Sequence, residues 1–153
     1  MAWIYSSMAL LAGMLLATQA AINSQLGQSL NQQPLLAALV SFLVGTVFLI
    51  IVVGVKGQLG TIALMPEQPW WKWVGGLMGA FMVCASIILA PKLGVANMLL
   101  FIIIGQLLAG LLIDHFGLMN MLVKPVDASK LIGIGLMVLG LVVFMFGSRW
   151  LKR

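Results

Sequence analysis

The side chains that could do chemistry in this sequence are few, and the first of them are amides. Gln19 and Asn23 are four residues apart, which places them on one face of a helix. Gln106 sits inside a long apolar run, Asn97 near the start of that run, and Ser86 and Ser41 inside two others. A polar group in apolar surroundings costs free energy unless it is satisfied. Gln19, Asn23, Gln106, Asn97 and Ser86 are therefore read as candidates to line a solute path and bind by hydrogen bonding. The plainer role for the same groups is a hydrogen bond between helices.

Asp114 and His115 close the fourth apolar run. Being adjacent, they point in different directions on a helix. A histidine suits a helix C-terminus, whereas an aspartate there opposes the macrodipole and calls for a compensating lysine or partner chain. The pair reads as an interfacial polar stop or as a proton- or cation-responsive gate. Glu67 and Asp127 fall between runs, so no carboxylate lies in the middle of one. One His, one Cys and three acids supply no convincing metal site. There is no Walker-type glycine loop and no nucleophile motif. The expectation is a protein that is not an enzyme and takes no cofactor. Cys84, alone in an apolar run, reads as a small buried hydrophobe.

The elements that must position these groups are legible from hydropathy. Of the 153 residues, 63% are hydrophobic and 7% charged. A soluble domain carries about 25% charged residues, so this chain could not cover its surface with polar groups. Five uncharged runs of membrane-spanning length lie at about 4–21, 35–55, 73–90, 95–113 and 131–146. The expected fold is an all-α integral membrane protein, a single five-span domain over residues 1–153. The five tryptophans and the one tyrosine fall at run ends, where amphipathic rings favour the headgroup level. No Lys or Arg precedes the first run, which reads as a span rather than a cleaved leader. The stretch from Gly27 to Gln33 reads as a short loop, and Pro91 to Gly94 as a tight connection. Small residues recur at helix-packing spacing, with Gly13 between Ala9 and Ala17, Gly75 with Gly79, Gly105 with Ala109, and Gly133 with Gly140 on one stripe. The partner helix could be in this chain or in another.

Net charge is +5, yet the cations sit at or near run ends as anchors and topology signals, so a nucleic-acid partner is not expected. One side of a five-span chain carries Lys56, Lys72, Lys124 and Lys130, and the other carries Lys92, Arg149, Lys152 and Arg153. Four against four specifies orientation weakly. It favours dual topology: one sequence inserting both ways and pairing antiparallel as half of a ten-helix inverted repeat, an architecture in which transporters bind solute near the midplane. A single orientation set by the terminal cluster or a partner is the alternative.

The order of Gln19-Ala20-Ala21-Ile22-Asn23 with Leu26, Pro69-Trp70-Trp71-Lys72-Trp73 leading into Gly75, Gly76 and Gly79, Pro91-Lys92-Leu93-Gly94, Gln106, and Leu112-Ile113-Asp114-His115-Phe116-Gly117 resembles the YdcZ-like branch of the bacterial drug/metabolite transporter superfamily. The resemblance covers nearly the whole chain. It implies five spans per chain in the bacterial inner membrane, single, paired or fused into ten-span forms, and transport without a cofactor. It implies no particular substrate. The small multidrug exporters of the superfamily use a span 1 carboxylate, where this chain has Gln19 and no acid, which argues against multidrug proton antiport. The reading that follows is a transporter of a small organic solute working by alternating access, as an antiparallel homodimer or paired with a homologous chain. A passive channel made by the same dimer, or a regulatory membrane subunit, is the alternative.

Overall fold

The computed structural model describes residues 2–150 and the side chains of residues 3–147. The terminal cations Arg149, Lys152 and Arg153, and the ring of Trp150, lie outside the described side chains. The chain is helical as the composition implies. The five long helices among the described residues are α1 (Ala2–Ser29), α2 (Pro34–Val55), α3 (Val74–Leu93), α4 (Val95–Phe116) and α5 (Ala128–Trp150). All five are long and apolar enough to cross a membrane. Tight 3-10 turns at Leu59–Glu67, Trp70–Trp73 and Leu118–Asn120 occupy the longer connections.

Two connections differ from the sequence expectation. α1 does not stop before Gly27 but runs on to Ser29, and the reversal is made by Asn31 and Gln32 at φ 54 and 58°. Nothing in Asn23–Ser29 breaks a helix; the segment is polar, but it holds no proline. At 28 residues, α1 is about 42 Å long, against a hydrocarbon core of about 30 Å. Its polar last turns therefore extend toward the headgroups. At the other connection, Pro91 lies inside α3, and the chain turns at Gly94, whose φ of 80° suits glycine. A proline so close to a helix end forfeits one ladder bond without ending the helix. The Gly94 N–H then closes the last turn on the Ala90 carbonyl at 3.0 Å.

The chain divides into two compact units, Met1–Val95 and Ala96–Arg153. In the first, α1, α2 and α3 all pack on one another. Their junction is made of small groups: Ala37 and Ala38 of α2 and Ile87 of α3 are buried, with Leu26, Leu30, Val83 and Cys84 packed around them. α1 contributes a stripe of Ala20, Asn23, Ser24 and Gly27, all buried. Lipid tails are as apolar as leucine, so such helices associate through close van der Waals packing rather than hydrophobic exclusion. Gly27 provides the closest approach. A methyl placed there would lie 2.8 Å from Ile87 Cγ2 and 3.7 Å from the Ala37 Cβ.

In the second unit the connection from α4 to α5 is tied back onto α4. The Lys124 N–H donates to the Asp114 carbonyl at 2.8 Å, and the Val126 N–H donates to His115 Nδ1 at 3.1 Å. Asp127 then caps α5, its Oδ1 accepting the Lys130 N–H at 2.9 Å and the Ser129 hydroxyl at 2.8 Å.

Candidate functional site

The buried polar groups of the first unit converge on the lower half of α1. Asn23 is 5% exposed and Ser24 is 6% exposed on α1, and Ser86 is 7% exposed on α3. Ser86 is satisfied locally, its hydroxyl donating to the Met82 carbonyl one turn earlier at 2.8 Å. Asn23 and Ser24 differ: among the described residues, neither side chain makes a hydrogen bond. No sealed side-chain nitrogen or oxygen lacks a partner among the described residues, so both groups keep an opening to the outside. For Ser24 the opening is a cavity of about 430 Å³, a volume within the range of small-molecule sites.

The cavity is built from three elements. Ser24, Gly27 and Gln28 come from α1, Gln32 and Pro34 from the reversal into α2, and Ile87, Ile88, Pro91 and Lys92 from the end of α3. One wall is apolar, and the remainder offers two amides, one hydroxyl and one ammonium. No acid lines it. Among the described residues Lys92 makes neither an ion pair nor a hydrogen bond. Such a surface can grip the apolar body of a solute on one side and hydrogen-bond its polar end on the other.

The structure sorts the sequence-predicted candidates. Asn23 and Ser86 lie in the packed region of the first unit. Gln19, though one turn from Asn23, is exposed in a shallow depression formed by α1 itself with Ala12, Leu15, Leu16, Thr18 and Ile22. Ser41 is half-buried on α2. In the second unit, Gln106 is exposed on α4 and Asn97 is half-buried near its start. Asp114 is half-buried, and no lysine compensates its carboxylate among the described residues, since Lys124 reaches only its carbonyl. His115 is exposed, acts as an acceptor through Nδ1, and stands edge-on to Phe116 at 4.7 Å. No group of three or more metal-ligating side chains occurs among the described residues.

Ser24, Gln28, Gln32 and Lys92 were absent from the sequence candidates. A signal for two of them existed: Ser24 and Gln28 are four residues apart and share a helix face. Ending the first span at Ala21 hid that face. Of the packing glycines, a methyl at Gly79 would lie 3.7 Å from Phe42 Cζ, while a methyl at Gly13, Gly75, Gly105, Gly133 or Gly140 would meet nothing within 4 Å among the described residues.

Known proteins give the arrangement a context. The chain is 35% identical over 83 residues to the inner membrane protein YdcZ of Escherichia coli (strain K12), covering 54% of this chain and 56% of that one. The alignment thus spans about half the length of the curated relative it matches. No solved structure matches the chain. Residues 4–143 match the family described as "Putative inner membrane exporter, YdcZ", and the chain belongs to that family of multi-pass inner-membrane proteins.

Proposed function

We propose that this chain is a transporter subunit that exports a small organic solute, and that the cavity beside Ser24 lies on the solute's path. The observation that carries the reading is the pair of buried, unbonded polar side chains, Asn23 and Ser24, with Ser24 opening on the cavity. Both groups reach an opening and neither is taken up by the chain, so a solute entering there finds hydrogen-bonding partners already in place. The working unit is an antiparallel pair of chains, homodimeric or with a homologous partner, that alternates access by rocking one chain against the other. Glycine faces at Gly13, Gly105, Gly133 and Gly140 that meet no neighbour within their own unit among the described residues would give a second chain surfaces for close backbone approach.

The test is efflux from vesicles loaded with the small-molecule fraction of a bacterial extract and followed by mass spectrometry. Wild-type protein releases at least one solute in a saturable manner, and Ser24→Leu slows that release at least tenfold while remaining folded. Release of no solute contradicts the reading. Rapid, non-saturating release graded only by size identifies a channel instead.

A further inference from the structure

We propose that the cavity selects a solute carrying an anionic group, held by Lys92 and oriented by Ser24 and Gln28. This proposal rests on reading the cavity as the solute's site. Lys92 is the only charged side chain in its lining and has no counter-ion among the described residues. The acid of the first unit, Glu67, belongs to the connection between α2 and α3, whereas the cavity lies at the end where α1 reverses into α2 and α3 finishes.

Helix ends carry partial charges of about half a unit. α1 and α3 present their C-terminal, negative ends here, and Lys92 in the last turn of α3 offsets its own helix. α2 presents its positive N-terminus at Pro34, and Gln33 provides no side-chain cap for it, which offsets α1. A full ammonium charge against one uncompensated half charge leaves the site net positive. The hydroxyl of Ser24 and the amide of Gln28 add neutral donors that an anionic oxygen accepts well. The apolar wall of Ile87, Ile88 and Pro91 calls for an apolar body behind that oxygen.

The chemistry is shared by two sources, a soluble organic acid and an anionic lipid headgroup. We assign it to the soluble acid, the source that the transport reading requires, and the lipid headgroup is an outcome of the experiment below.

The experiment compares three probes of nearly one shape, phenylacetate, phenylacetamide and phenethylamine. Each is titrated against the purified full chain in phosphatidylcholine nanodiscs. Phenylacetate binds about tenfold or more tighter than the amide, and the amine binds weakest. Lys92→Gln removes the preference, and Lys92→Glu shifts it to phenethylamine; Lys92 is exposed, so both variants fold. Equal affinities, preference for the amine, binding of none of the three, or indifference to Lys92 overturns the proposal. If phosphatidylglycerol in the nanodisc displaces phenylacetate, the occupant is a lipid headgroup and the soluble-acid assignment fails. The transporter reading fails separately: efflux of neutral or cationic solutes that depends on Ser24 but not on Lys92 sinks only the anion selectivity, whereas phenylacetate binding without efflux of any solute sinks only transport.

Discussion

A methyl group at Gly27 would stand 2.8 Å from Ile87 Cγ2, closer than real side-chain contacts come. Ile87 is buried and β-branched, so its methyl has little freedom to move aside. Gly27 therefore sets the spacing between α1 and α3 next to the cavity that both helices line. Gly27→Ala lowers stability by about 1–3 kcal/mol through overpacking. Gly13→Ala, in open space within the chain, leaves the unfolding midpoint of the monomeric chain in detergent unchanged or slightly raised. Unfolding monitored by circular dichroism separates the two.

The same open glycines predict where a second chain packs. Gly13→Leu and Gly140→Leu weaken dimerisation in lipid by about tenfold without loss of helicity, since close backbone approach drives helix association there. Single-molecule photobleaching of labelled chains in vesicles reads the dimer fraction. An unchanged fraction in both variants removes these faces from the interface.

Orientation is a separate matter. A cysteine appended after Arg153 in a Cys84→Ala chain is labelled from both sides of intact inner membranes if the four-to-four distribution of cations leaves insertion balanced. Two lysines added between Leu30 and Gln33 shift labelling strongly to one side. Labelling from one side alone in the unmodified chain rules out the antiparallel homodimer.

The α4–α5 connection is tied to α4 through His115, whose Nδ1 accepts the Val126 N–H at 3.1 Å. His115→Ala removes that acceptor and frees the loop. Hydrogen exchange at the Val126 amide is faster in the variant than in wild type at the same pH, and equal rates contradict the assignment.

Asp127 gives a pH signature at the start of α5. The Lys130 N–H and the Ser129 hydroxyl hold its carboxyl below the ordinary value of 3.8. A lowered folded-state pKa means the cap contributes fully above the ordinary carboxylate range and is lost as pH falls through the lowered value. Asp127→Ala removes the contribution at neutral pH. Protection of the Lys130 amide, its exchange relative to the intrinsic rate at the same pH, reports both, falling at low pH in wild type and lowered throughout in the variant.

The spans were legible because the apolar runs are long and the aromatics and cations bracket them. Helix ends were less so. A membrane helix can continue beyond the hydrocarbon, and hydropathy cannot tell a polar loop from a polar helical turn, so Asn23–Ser29 read as the approach to a loop. Pro91 read as part of a connection because proline usually ends helices, yet one turn from a terminus it costs little. The amides at Gln19 and Gln106 stood out as rare polar groups, but burial depends on which face the neighbours cover. Asn23, one turn from Gln19, is covered by α2 and α3 packing around the Ala20–Gly27 stripe, and Gln19 is not. Lys92 read only as an anchor because its cavity exists only once α1 is extended.

The claim that the Ser24 cavity lies on the solute path is tested most directly by Ser24→Cys in a Cys84→Ala background. Treatment with a water-soluble maleimide, with efflux measured before and after, asks whether the position is open to water and whether blocking it matters. The position is expected to be labelled, the exported solute to slow the labelling, and efflux to fall at least tenfold once the position is labelled. Labelling that is complete yet leaves efflux unchanged, or a position that the reagent never reaches, contradicts the claim.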